Sequence, residues 1–185
     1  ASVFATIIGV MGVVALKRVK KVTKDFIINI TNFPMINPEI VTGVSLMLLF
    51  VFIGRLLAFN NSLSFYTLLI AHITFNLPYV ILNVLPKLRA CGKSLTEAAQ
   101  DLGCTYFQAF TKVVLPNISS GIISGLLMAF TLSLDDFVIS YFTNGTFQTL
   151  PLVIYSMAKK PLKPDVYALE TIMFLVILLL MYPIG

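Results

Sequence analysis

The sequence predicts an all-α protein, a polytopic bundle of membrane helices with five spans in its 185 residues. Three observations predict it. Hydrophobic residues make up 58% of the chain and charged ones only 11%, whereas soluble domains carry about 25% charged residues. The mean hydropathy is +0.94, which argues against a soluble domain and excludes a disordered, solvated chain. The apolar residues also fall into five stretches, and about 20 such residues cross a hydrocarbon layer of about 30 Å as a helix.

The first stretch, Ala1 to Leu16, ends at Lys17-Arg18. It has no basic leader and no small-residue cleavage site, so a signal peptide is not expected. The chain is expected to be a piece that begins inside a membrane helix, and Met181-Tyr182-Pro183-Ile184-Gly185 to lie close to a membrane boundary. The second span lies within Phe26 to Phe59. One straight helix of that length would measure about 50 Å, so Pro34 and Pro38 are expected to mark a kink or an interfacial lead-in. The third span is Phe65 to Leu85, with Pro78 inside. The fourth runs from about Asn117 to Phe142 and the fifth from about Val166 to Tyr182.

Basic residues orient these spans. Lys17, Arg18, Lys20, Lys21 and Lys24 follow the first span, and Lys87, Arg89, Lys93 and Lys112 follow the third. With five spans, these nine charges share one side, against Lys159, Lys160 and Lys163 on the other. Excess Lys and Arg marks the cytoplasmic face. Arg55 is left near the outer end of the second span, where it can snorkel. The net charge of +5 therefore reports basic membrane loops rather than a nucleic-acid partner. Cys91 and Cys104 share one polar loop and form neither a metal-ligand pattern nor a disulfide framework. Trp is absent, so any aromatic belt is built from Tyr and Phe.

Residues 86–116 form the one long polar connection, within what is otherwise a single membrane domain, 1–185. A loop of this length between spans is usually functional. Ser94 or Thr96 is expected to cap a helix through Glu97 to Leu102, with Glu97 three residues after Ser94 as in a capping box. Gly103 is expected to stop that helix, where a positive φ is often needed. Thr105 to Val114 is a second amphipathic stretch with Phe107, Phe110 and Val114 on one face, ended by Leu115-Pro116. Gly92-Lys93-Ser94 is similar to the tail of a phosphate-binding loop. Lys87 stands where the first glycine is needed and no strand precedes it, so a plain loop is expected.

Glu97-Ala98-Ala99, Gly103, Val113, Leu115 and Pro116 resemble the EAA loop of binding-protein-dependent ABC importer permeases, with Val113 in a position usually held by Ile. The likeness extends to Ala71-His72-Ile73-Thr74-Phe75 with Leu77-Pro78, to Phe130 through Phe137, and to Leu150 through Met157. These segments are similar to the second membrane subunit of spermidine/putrescine importers. The resemblance implies a methionine-importer-like permease fold with a sixth, amino-terminal span beyond this sequence. It implies that Glu97, Ala98, Ala99, Asp101, Gly103, Leu115 and Pro116 couple the chain to a cytoplasmic ATPase, the small residues lying close against that partner. The implied partners are a homologous second permease subunit, two ABC ATPase subunits, a periplasmic or extracellular polyamine-binding protein and the lipid bilayer, with no nucleic acid. ATP and Mg would be bound by the ATPase, and no cofactor by this chain. The implied place is the cell membrane, multi-pass, with the loop in the cytoplasm.

The residues allow the substrate to be weighed. An acid near the centre of a membrane helix costs about 2.5–3.5 kcal/mol on insertion scales. Asp135 and Asp136 are placed in the outer half of the fourth span, and Glu39 beside Pro38 in the over-long second one. Stepping back from Asp135 gives Thr131, Met128, Ser124, Gly121 and Asn117, a small and polar stripe that lines a pathway or packs on another helix. Gly121 and Gly125 form a GxxxG pair. A path for polycations needs spaced carboxylates and aromatic faces; Glu39, Asp135 and Asp136 supply the first, and Tyr141, Phe142 and Tyr155 can supply the second. The plainer alternatives are pairing of the aspartates with a partner subunit, capping by Glu39, interfacial packing of the aromatics (Tyr66 and Tyr79 included), and a hydrogen-bonded structural His72. Importers for thiamine, ferric iron or an anion are the rival transport readings, and bare acids disfavour the anion. An intramembrane enzyme needs a nucleophile–base pair or a metal cluster. The chain has one His, no intramembrane Cys and no HExxH. A purely structural scaffold leaves the EAA spacing unexplained.

Overall fold

The axis of the bundle is α4, Phe65–Ala90, whose 26 residues extend about 39 Å. It belongs to a computed structural model that describes residues 1–16, 19–58, 63–158 and 164–181, all helix and connections with no strand among them. Ser64 begins α4 by donating its N–H to Thr67 Oγ1 at 2.8 Å. Pro78 and Pro86 lie inside it without ending it, as membrane helices allow when neighbours satisfy the freed backbone groups.

Two helices clasp α4 through missing side chains. α1, Ser2–Leu16, runs parallel to it, and a Cβ at Gly9 would stand 2.7 Å from Val80 Cγ1. α7, Leu115–Asp135, runs antiparallel to it. A Cβ at Gly121 would stand 2.8 Å from the Asn83 carbonyl oxygen, and one at Gly125 3.3 Å from Val80 Cα. The GxxxG pair therefore packs against α4 rather than lining an opening. Between the three helices lies a core that includes Val13, Val80, Val84, Leu88, Ile118 and Ala129.

The over-long second stretch divides into α2, Lys21–Ile36, and α3, Glu39–Leu56. Pro34 stays within α2 and Pro38 makes the break. The residue before a proline is pushed out of the helical region, and Asn37 is extended at φ −79°, ψ 143°. α2 buries no residue, although Ile28 leans on the core. α3 leans on α8, Val138–Thr143, with Gly43 admitting the Phe142 ring. Leu46 and Phe50 pack around Ala71, Phe75 and Ile139. The chain closes with α9, Leu150–Ala158, and α10, Pro164–Met181.

Two boundaries differ from expectation. The fourth span stops at Asp135 rather than Phe142, and the chain restarts as α8. Leu115-Pro116 does not end the preceding stretch: α6, Tyr106–Ala109, a π turn over Phe110–Val114 and α7 form one 30-residue apolar helix, Tyr106–Asp135. Pro116 lacks an N–H, and its ring would press on the carbonyl four residues back. The wider π turn, where the Leu115 N–H reaches the Phe110 carbonyl five residues back, makes room for it.

Among the described residues, three of the five expected spans are helices long and apolar enough to cross a membrane: Glu39–Leu56, Phe65–Ala90 and Tyr106–Asp135. The other two, Ser2–Leu16 and Tyr167–Leu180, are apolar but shorter. The packing brings Leu16, Ala90 and Leu115 to one end of the bundle, so the connections carrying Lys20, Lys21, Lys24, Lys87, Arg89 and Lys112 gather there. Lys17, Arg18, Lys159, Lys160, Lys163 and Tyr182 lie outside the described residues.

Gly121→Ala should cost the α4–α7 contact about 1–3 kcal/mol through overpacking, and Gly125→Ala less. Thermal midpoints of the complete assembly in detergent check the order; equal midpoints would mean that the helices part freely.

Candidate functional site

The break after α7 sorts two neighbouring acids. Asp136 is buried, at 8% exposure. Its Oδ1 accepts the Ile139 N–H at 3.2 Å and its Oδ2 the Ser140 N–H at 2.8 Å. A helix start leaves such donors without partners inside the helix, and a carboxylate satisfies them. His72 of α4 stands beside it. Its Nδ1 is 3.1 Å from Ser133 Oγ, and its Nε2 is 3.0 Å from Ser140 Oγ and 3.5 Å from Asp136 Oδ2. One imidazole thus ties α4, α7 and α8 together, as a hydrogen-bonded structural histidine. The expectation that both aspartates face one open path is corrected for Asp136, which is turned inward as a helix cap.

Asp135 is exposed and turned the other way. With Phe137 it lines a cleft of about 520 Å³ closed by Tyr155 of α9 and by Glu170 and Phe174 of α10. The Phe137 and Tyr155 rings lie 4.6 Å apart, centroid to centroid. Tyr141 continues the aromatic row at 5.8 Å from Phe137 and meets Phe142 edge-on at 5.4 Å, outside the cleft lining. Glu39 is not brought to this place. It is the exposed first residue of α3, within electrostatic range of Tyr79 midway along α4. Sequence reasoning missed Glu170, although the same signal announced it: a lone acid in the apolar run of the last helix. The polar stripe behind Asp135 turns partly to its own helix, with Thr131 Oγ1 donating to the Leu127 carbonyl and Asn117 Nδ2 to the Val113 carbonyl.

At the basic end, the long loop folds as α5, Lys93–Asp101, followed by α6. Gly92, not Ser94 or Thr96, is the N-cap residue of α5, and both expected caps lie inside the helix. Lys93 and Ser94 are its first residues rather than loop, and a helix precedes them, so the phosphate-loop likeness finds no strand. The reciprocal cap occurs one helix later. The Gln108 N–H donates to Thr105 Oγ1 at 3.3 Å and the Thr105 N–H to Gln108 Oε1 at 3.0 Å. Gly103 ends α5 with φ +86°. Its N–H reaches the Gln100 carbonyl and that of Cys104 the Ala99 carbonyl, at 2.8 and 3.1 Å, which is the Schellman pattern.

Neighbouring residues on a helix point about 100° apart, and the two alanines divide accordingly. Ala99 is buried while Glu97, Ala98, Asp101, Leu102 and Gly103 stay outside, which corrects the expectation of both alanines on a partner. The π turn likewise splits the expected aromatic face. Phe107 and Phe110 join Tyr106 along a groove against Val10, Met11 and Val14 of α1, whereas Val114 enters the core. Leu115 and Pro116 remain on the exposed side.

Residues 5–184 match the family described as binding-protein-dependent transport system inner membrane component. The chain belongs to this family. As a member it is a multi-pass inner-membrane component of a transport system. It is 38% identical over 181 residues to the spermidine/putrescine transport system permease protein PotC of Escherichia coli K12, covering 97% of this chain and 66% of that one. To the protein of the same name from Haemophilus influenzae it is 39% identical over 181 residues, covering 97% and 68%. To the putrescine transport system permease protein PotI of Escherichia coli K12 it is 38% identical over 175 residues, covering 93% and 62%. The chain thus spans just under two thirds of the length of the first of these relatives.

Asp136→Ala should lower stability by about 0.5–2 kcal/mol through the lost cap, and Asp135→Asn by no more than about 0.5 kcal/mol. Thermal midpoints of the two variants in the assembled transporter check the division of labour; equal losses would erase it.

Proposed function

We propose that this chain is a membrane-spanning permease subunit of an ATP-driven ABC importer and forms half of a path for polyamines such as spermidine and putrescine. The observation that carries this reading is the cleft at the α7–α8 break. Asp135 and Glu170 face it from different helices, and the Phe137 and Tyr155 rings complete its wall. A polyamine presents ammonium groups spaced along a flexible apolar stem. Carboxylates facing the cleft favour those groups, aromatic faces add cation–π attraction, and the same acids repel sulfate-like anions. Glu39, midway along the bundle, and Tyr141, beside the cleft, serve the same path. The names of the relatives support the substrate class.

The partners in this reading are a homologous second permease subunit, a pair of ABC ATPases and an extracytoplasmic polyamine-binding protein. ATP and Mg belong to the ATPases, and this chain does no hydrolysis. Glu97, Ala98, Asp101 and Gly103 form the face offered to an ATPase on the cytoplasmic side, and buried Ala99 seats α5 on its own protein. Leu115 and Pro116 lie in a helix that runs unbroken from Tyr106 to Asp135, about 45 Å at 1.5 Å per residue. A displacement of the loop therefore arrives at the acidic cleft along one rigid element.

In proteoliposomes holding the complete importer, labelled spermidine or putrescine should be taken up with ATP, and thiamine, ferric iron and sulfate should not. Asp135→Asn combined with Glu170→Gln should reduce polyamine uptake at least about tenfold, the effect of about 1.4 kcal/mol, with ATPase assembly retained. Undiminished uptake would remove the cleft from the path. Glu97→Lys, or Gly103→Asp at its positive φ, should abolish uptake with the subunit still in the membrane; transport by both variants would end the coupling role.

A further inference from the structure

Asp135 and Asp136 are chemically identical neighbours, yet one caps α8 and the other faces the cleft. Nothing in the two residues chooses between these roles. A slip of the break by one residue would put Asp135 under the N–H groups of α8 and turn Asp136 outward. Asp135 is the last residue of α7 and Asp136 leaves the helix at φ −67°, ψ 108°, so that one carboxylate is exposed and the other buried. The choice is therefore binary, one acid in and one acid out.

We propose that His72 is a positioning residue that makes this choice and so sets which carboxylate the cleft presents. Ser133 and Ser140 flank the break, and both hydroxyls meet the same ring, one at each nitrogen, at 3.1 and 3.0 Å. A neutral imidazole donates through one nitrogen and accepts through the other, and a hydroxyl answers either role. The width of the ring is fixed, so the distance between the end of α7 and the first turn of α8 is fixed with it. A one-residue slip would carry Ser133 or Ser140 out of reach. The Nε2 edge also lies 3.5 Å from Asp136 Oδ2, so the ring meets the capping carboxylate as well as the two hydroxyls. The ring is anchored on α4, the axis of the bundle, and its residue is buried at 5% exposure. The role rests on the cleft being the solute path, but its geometry can be read without any transport.

The test places a reporter thiol on the cleft wall, Ile154→Cys, in the complete importer with Cys91→Ala and Cys104→Ser. The rates of modification by a cationic and by an anionic methanethiosulfonate reagent are measured, and their ratio reports the carboxylate facing the cleft. Folding efficiency cancels in that ratio. Asp135→Asn should lower it about tenfold, as a nearby charge in a partly dry cleft would, and Asp136→Asn should leave it within twofold. His72→Ala should leave one carboxylate facing the cleft without fixing which, so that Asp135→Asn and Asp136→Asn made in that background lower the ratio alike, each by less than the roughly tenfold loss of Asp135→Asn alone. A Gln amide reaches the Nε2 position facing Ser140 and Asp136, and an Asn amide reaches only the Nδ1 position facing Ser133. His72→Gln should therefore retain the contrast between the two aspartate variants and His72→Asn should lose it. A contrast between the two aspartate variants that persists in His72→Ala, or that is the same in the Gln and Asn backgrounds, would overturn the proposal, and the Gln–Asn comparison decides it where the Ala variant fails to assemble. The expected ratios together with polyamine uptake indifferent to Asp135 would instead sink the transport reading alone.

Discussion

Hydrocarbon offers no partner to a backbone N–H or C=O, so every departure from a helix inside a membrane must be answered by protein. That constraint organises this bundle. Most of the chain meets it in the simplest way, with helix after helix closing its own hydrogen bonds. The informative places are those where it cannot. Pro116 has no N–H to give, and the helix widens into a π turn before it. At the end of α7 the helix stops altogether, and Asp136 takes up donors of the next turn. In each case an irregularity is matched by a specific residue nearby.

Close packing is the second requirement, and it explains where glycine was spent. In lipid the hydrophobic effect does not drive helices together, because the surroundings are as apolar as leucine; contact must come from fit. Gly9, Gly121 and Gly125 all sit where α4 comes within the reach of a single added carbon. The result is a rigid triplet of α1, α4 and α7. The looser elements hang on it: α2 without a buried residue, and α10 with most of its side chains open to the surroundings.

Much of this was legible in the amino-acid order. The runs of apolar residues located the three helices long enough to cross a membrane and the two shorter apolar ones, because the cost of exposing a polar side chain to lipid is large and local. Gly103 announced a positive φ, since few other residues take one. What the order left open were relations between helices. Ser94 looked like a cap because serine often is one, but the helix began earlier, at Gly92. The opposite fates of Asp135 and Asp136 were invisible, because they are decided by a ring on a helix more than sixty residues away. Glu170 carried the same local signal as the other acids in apolar runs and drew no notice until the fold set it beside Asp135.

Among the described residues, the bundle gathers Lys20, Lys21, Lys24, Lys87, Arg89 and Lys112 at one end and Asp135 at the other. It is therefore a polarised object standing along the membrane normal. A transmembrane voltage negative on the basic side stabilises that stance by about 2.3 kcal/mol per 100 mV for every charge it acts across. The same voltage pulls any cation resting at the acidic end inward, so orientation and the direction of cation movement draw on one electric field.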